Sequence, residues 1–183
     1  MDLLKRISGG GIAALVACVF VPGPVAAQSE VHPAAVEPEE IERGPVTDLP
    51  LPRFVSLRAA EANVRRGPSL SHRIDWVYQR RDLPLEITAE YEHWRRVRDR
   101  DGQGGWVHYA LLSGVRTGLV ESDNVAMHST PRDAGQVTAR LMRGVVVRID
   151  ECSTDWCRVR ADGHRGWLRK PQIWGVEPEE ILE

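Results

Sequence analysis

A few positions in this sequence have side chains and spacings suited to chemistry. Cys152 and Cys157 bracket Ser-Thr-Asp-Trp, a spacing that places them on the two arms of a tight hairpin and suits a disulfide. The loop so closed is short, and its chain-entropy gain is about 2 kcal/mol. A redox dithiol would instead show Cys-x-x-Cys near a helix start, and a cysteine nucleophile needs a free thiol, a histidine base and an orienting group. His72, His93, His108, His128 and His164 are scattered, with no second His, Asp or Cys at metal-ligand spacing, so no metal and no other cofactor is expected. Glu86 and Glu90 share a strand-like run and read as ordinary surface charges. Gly-x-Ser-x-Gly, a phosphate-cradling glycine loop and His-Glu-x-x-His do not occur. Catalysis therefore has no set of residues to carry it.

The other chemistry is recognition. In HWRRVRDRDGQGGWVH (residues 93–108), Trp94, Arg96 and Arg98 alternate with Arg95, Val97 and Asp99. On a strand the first three share one face. With Trp76, Tyr78 and Tyr109 they would make a shallow aromatic groove whose cations attract carboxylates. Trp106 and Trp167 follow glycine at strand starts and are expected in the core. Arg65 and Arg66, beside Gly67-Pro68, read as loop-fixing residues that bond to backbone. Nucleic acid is not expected as a partner: net charge is −2, and the arginines follow the strand period.

The elements that must position these residues occur twice. ANVRRGPS at Ala62 aligns with DNVAMHST at Asp123, and LPLEITAEYEHWRRVRDRDGQGGWV at Leu83 with VVVRIDECSTDWCRVRADGHRGWL at Val145. The periodicity within each unit is two, and Asp-Gly at 101–102 and 162–163 marks a tight turn, so each opening arginine stretch is one arm of a hairpin. Short strands in so small a unit predict an all-β architecture of compact, partly open barrels. In the alignment Glu90 and Arg95 fall where the second unit has Cys152 and Cys157. They are expected to face each other as an ion pair, worth at most about 1 kcal/mol if exposed.

The ends differ in character from this body. Lys5 and Arg6, the apolar run 7–21 and the small-residue stretch PGPVAAQ read as an export signal over residues 1–27, with cleavage after Ala27. LVAC also satisfies a lipoprotein signal, which would place a lipid anchor on Cys18. Either route leaves Cys152 and Cys157 as an even pair in an oxidising, periplasmic or secreted setting, with no transmembrane span after cleavage. Residues 28–52 are rich in Pro, Ala and Glu and read as a solvated linker. Residues 177–183 form an acidic tail. The hexapeptide VEPEEI stands at 36–41 and again at 176–181, each time expected as a short helical turn with its acids at the positive end.

The motifs ANVRRGPS, HWRRVRDRDGQGGWV and YALLSG resemble those of the bacterial Src-homology-3-like (SH3b) domain: an Asn-Val-Arg-x-Gly-Pro-Ser start, a Trp-x-x-Val strand and a Gly-Trp-Val end. The resemblance covers residues 53–114 well and 115–176 more weakly, because NVAMHSTP lacks the arginine and glycine of the start motif. It implies two tandem small barrels of five or so strands, used in bacterial envelopes to hold peptide or peptidoglycan. The expected function is a non-catalytic exported module binding such ligands through Trp94, Arg96, Arg98, Trp76, Tyr78 and Tyr109. The alternative is a scaffold for another envelope protein with no glycan ligand. In a third reading the acidic tail lies on the basic body and competes with ligand.

Overall fold

Strict alternation of apolar and polar residues, broken by Asp-Gly and Gly-Pro turns, leaves strands as the elements that can bury one side of this chain. The computed structural model describes residues 41–183. The export-signal reading of 1–27, the lipidation of Cys18, the linker up to residue 40 and the first VEPEEI up to Glu40 lie outside the described residues. The first unit contains β1 (Arg53–Leu57), β2 (Ala62–Arg65), β3 (Ile74–Tyr78), β4 (Pro84–Tyr91), β5 (Trp94–Arg98), β6 (Gly104–His108) and β7 (Leu112–Ser113). The second repeats the series as β8 (Thr117–Val120), β9 (Val125–His128), β10 (Val137–Leu141), β11 (Val146–Cys152), β12 (Trp156–Ala161), β13 (His164–Arg169) and β14 (Ile173–Trp174). Each unit forms one seven-stranded antiparallel sheet, ordered β3-β2-β6-β5-β4-β1-β7 and β10-β9-β13-β12-β11-β8-β14. Single turns of 3-10 helix at Tyr109–Leu111 and Lys170–Gln172 are the only helical elements described. The all-β expectation and the tandem arrangement hold, with two more short strands per unit than expected.

Each sheet wraps its own core. Leu57, Val64, Leu85, Val97 and Val107 are buried in the first, and Met127, Val147, Val159 and Leu168 in the second. The units superpose in topology with one correction to the sequence alignment. Val64 pairs with Trp76 and Ala62 with Tyr78, while Met127 pairs with Ala139 and Val125 with Leu141. Ala62 therefore corresponds to Val125, two residues beyond the match made from DNVAMHST. A slide of two keeps every side chain on its own face, so periodicity cannot detect it. Gly105 and Gly166 confirm the new register: a Cβ on either would lie 2.7 Å from the carbonyl oxygen of Arg65 or His128, respectively.

The hairpin joining β4 to β5 shows the clearest divergence between the two units. Glu90 faces Arg95 in the register in which Cys152 faces Cys157, and the two cysteines form a disulfide. The expected ion pair is present, with Arg95 Nε 3.3 Å from Glu90 Oε1. It is buried, however, and Glu86 is buried too, so neither glutamate is the surface charge that spacing suggested. Arg53 Nη2 lies 2.5 Å from Glu90. The Val46 and Thr47 amides donate to the same carboxylate at 3.1 and 2.9 Å, and the Thr47 hydroxyl at 2.7 Å. Residues 41–52 fold back on the first barrel: Leu51 is buried, and a Cβ on Gly44 would strike the Glu90 carboxylate. Most side chains of 41–50 are exposed, as a linker's would be, and what this segment supplies to the barrel is backbone N–H groups, which composition does not show.

The barrels meet directly. Phe54 packs edge-on against Trp174 with centroids 5.2 Å apart. Arg100 forks onto Glu121 at 2.8 and 2.7 Å, Thr117 Oγ1 donates to the Asp82 carbonyl at 2.8 Å, and Arg80 Nη1 to that of Gly144 at 2.9 Å. The tail is not free either. The second VEPEEI forms one hydrogen-bonded turn, Glu180 N donating to the Glu177 carbonyl at 3.1 Å, without a helix, and Glu180 is held by Arg116. Partial burial disfavours the Glu180 carboxylate, and the Arg116 guanidinium more than offsets this, leaving its pKa below the usual range.

Removing Glu90 would leave Arg95 and Arg53 without their shared carboxylate. Glu90→Ala is expected to lower stability by about 3–5 kcal/mol, as read by urea denaturation. Burial by itself would raise the Glu90 pKa, but hydrogen bonds from Arg53, Thr47 and Val46 bring it from 4.5 to about 2. Because the folded value is the lower one, its stabilisation is complete above pH 4.5 and is lost as pH falls towards 2. A Glu90→Gln variant should lack this acid-dependent loss.

Candidate ligand-binding surface

The strand register decides which side chains share the outer face of the first barrel. Across β5, β6 and β2, Arg96 faces Trp106 and Trp106 faces Arg65. Trp106 is half-buried between these two cations. Arg65, Arg66, Asp75, Arg96 and Trp106 line an open cavity of about 430 Å³. Gly105 lets β2 and β6 approach closely beside it. Arg65 Nη1 donates to the carbonyls of Leu70 and His72 at 3.1 and 2.7 Å, which fixes the loop and aims the guanidinium. Asp75 is bound to Arg73 at 2.6 Å. Among the described residues, no carboxylate lies within ion-pair distance of Arg65, Arg66 or Arg96. The cavity therefore offers unpaired cations around an aromatic face, an arrangement suited to a planar carboxylate with an apolar or ring-bearing neighbour.

The second barrel keeps the tryptophan and loses the charge. Trp167 lies opposite Arg158 and His128. His128 and Ser129 stand where the first barrel has Arg65 and Arg66. Arg158 is neutralised by Glu151 at 3.0 Å, where the first barrel has Ala89 opposite Arg96.

The six residues singled out from sequence do not form one groove. Trp94 shares the outer face of β5 with Arg96 and Arg98 but is 8% exposed, covered edge-on by His108 at 5.6 Å. Arg96 is exposed and reaches the cavity, whereas Arg98 is tied to Glu86. Tyr78 is buried, its hydroxyl donating to the Gln103 carbonyl at 2.9 Å, and burial with the nearby Asp99 pushes its pKa well above the phenolic range. Trp76 is half-buried beside Tyr78 at 5.8 Å. Tyr109 is exposed, on a separate patch with His93 and His108. Trp106 and Trp167, expected in the core, sit half-buried on the outer face instead. Alternation from buried Val107 would have placed Trp106 outside; the preceding glycine was the misleading signal. Among the described residues, no cluster of three or more His, Cys, Asp or Glu could hold a metal ion.

A model of the bacterial SH3 domain family matches residues 58–114 and 121–175, together more than half of the chain. Among solved structures, the chain is similar to NlpC2 from Trichomonas vaginalis, at 14% identity, over 67% of this chain and 47% of that one, with a TM-score of 0.32. It is similar to NlpC1 from the same organism at 13% identity, over 72% and 48%, with a TM-score of 0.32. An NlpC/P60 family protein from Bacillus cereus ATCC 10987 is 12% identical over 66% and 55%, with a TM-score of 0.30. The chain spans about half the length of these structures. No curated protein matches it.

The two tryptophans of the first barrel should respond differently to truncation. Trp94→Ala is expected to cost about 3–5 kcal/mol of stability in urea denaturation, as for a buried aromatic. Trp106→Ala should cost clearly less.

Proposed function

Because the chain belongs to the bacterial SH3 domain family, with two copies in tandem, we propose that it is a non-catalytic, extracytoplasmic binding module that holds carboxylate-bearing peptide or peptidoglycan on its first barrel. The observation that carries this reading is the cavity in which Arg65, Arg66 and Arg96 surround Trp106 without an acidic partner. A charge-assisted fork from arginine takes a carboxylate in a fixed orientation, and the indole face packs on the adjoining ring or aliphatic stretch. The second barrel, whose corresponding arginine is neutralised by Glu151, contributes a rigid neighbour through the Phe54–Trp174 and Arg100–Glu121 contacts. An extracytoplasmic setting is supported by the Cys152–Cys157 disulfide, since such bonds persist in oxidising compartments.

Among the described residues, no helix is long and apolar enough to cross a membrane. The alternative is a scaffold that binds another envelope protein without any glycan. It is separated from the first reading by sedimentation with purified peptidoglycan. The Arg65→Ala/Arg96→Ala variant is expected to lose retention by about tenfold or more, since a hydrogen bond to a charged group is worth roughly 1.5–3 kcal/mol. Arg98→Ala, whose charge is engaged by Glu86, should be retained like the parent. Equal retention of parent and double variant, or retention of neither, would count against the ligand proposed here and favour the scaffold.

A further inference from the structure

Three arginines of the second barrel stand in one row across neighbouring strands. Arg148 on β11 faces Arg160 on β12, and Arg160 faces Arg165 on β13. Directly opposed residues share a face of the sheet, here the outer one, since Val147, Ile149 and Val159 between them are buried. All three arginines are exposed. The row lies beyond the Arg158–Trp167 pair, which is the counterpart of Arg96 and Trp106, so it does not repeat the cavity of the first barrel. Like charges placed directly opposite one another destabilise a sheet.

The first barrel satisfies the same register without that cost. Ile87 faces Val97 as Ile149 faces Val159, so Glu86 is the counterpart of Arg148 and Arg98 that of Arg160. Glu86 and Arg98 form an ion pair, and Arg98 has Gly104 on its other side where Arg160 has Arg165. The second barrel thus puts cations where the first has a carboxylate and a residue without a side chain.

Asp150 answers only part of this charge. It sits at the bulge of β11 with its side chain 11% exposed, accepts from Nε and Nη2 of Arg160, and lies 3.9 Å from Arg165 Nε. Among the described residues, Arg148 has no ion-pair partner, and Asp82 and Asp162, which border the row, are not within ion-pair distance of its arginines. Arg148 and Arg160 line a cavity of about 180 Å³ beside Thr117 and Val146, and Arg160 and Arg165 line one of about 410 Å³ beside His164. Arg160 stands between the two, so one elongated anion can reach all three cations.

Neighbouring strands space the three positions at about 5 Å. A planar carboxylate is satisfied by a single guanidinium fork, whereas a tetrahedral phosphoryl group turns oxygens towards two guanidinia at once. Phosphoryl groups joined in a chain can follow the row from one cation to the next. We propose that Arg148, Arg160 and Arg165 form a second anion-binding site, on the outer face of the second barrel, for a soluble chain of phosphoryl groups. The site is independent of the ligand assigned to the first barrel.

The test is isothermal titration calorimetry at low salt with tripolyphosphate, in the full chain carrying Arg65→Ala/Arg96→Ala so that the first barrel's cavity does not contribute. Arg148→Glu in that background is expected to weaken binding by about tenfold or more, since a charge-assisted contact is lost and a repelling carboxylate gained. The same variant gives Arg160 the facing carboxylate that Glu86 gives Arg98, so its midpoint in urea should rise. A glutamate oligomer of matched charge should bind clearly more weakly than tripolyphosphate. Absent binding of tripolyphosphate, unchanged affinity in Arg148→Glu, or a fall in that variant's urea midpoint would overturn the site. Equal affinity for the glutamate oligomer would overturn the phosphoryl assignment. Retention on phosphatidylglycerol vesicles without binding of tripolyphosphate would assign the row to a membrane surface and overturn it as well.

Discussion

Glu90 and Arg95 face each other across a hairpin from which water is excluded, and the rest of the first barrel is arranged so that neither is left unpaired. A buried carboxylate is tolerable only if its lone pairs are used. Arg53 reaches it from β1, and residues 46 and 47 fold back to give it amides, so one charge fixes the first strand, the hairpin and the approach to the barrel. Where the second barrel puts Cys152 and Cys157, this set of contacts has no carboxylate to gather round. Arg116, the counterpart of Arg53, takes Glu180 from the tail instead. One backbone register thus supports two ways of closing the same corner, one electrostatic and one covalent, and in each a flanking segment lies over it.

The same logic separates the two outer faces. A half-buried tryptophan beside a cross-strand arginine is present in both barrels, but Glu151 satisfies Arg158 internally, whereas Arg96 has Ala89 opposite it and no carboxylate partner among the described residues. The two barrels share the tryptophan platform and differ in whether its arginine is paired. The junction of Phe54 with Trp174 and of Arg100 with Glu121 holds the barrels together without covering the cavity of the first. The Arg100 hydrogen bonds lower the Glu121 pKa, so the junction keeps its charge in mildly acidic surroundings.

Much of this was legible in the sequence because strand periodicity is a direct consequence of the pleat. The repeat, the all-β architecture, the two Asp-Gly hairpins and the facing of Glu90 with Arg95 all follow from alternation and turn chemistry. Burial at the sheet rim was not legible. Trp94 and Arg96 have the same parity on β5, yet His108 from the neighbouring strand covers the first and leaves the second open. The two-residue slide in the second unit's first motif escaped for the same reason, since a period-two pattern is unchanged by it.

Which residues point inward and outward along each strand, and that two such units exist, can be read from the order of residues alone, because these depend on near neighbours in the chain. Which outward residues stay in water, which arginines find a carboxylate, and that the flanks at 44–47 and 180–182 close the corners emerge once the strands are packed together. Those outcomes depend on groups far apart in sequence whose pairing is set by the cost of burying a charge alone.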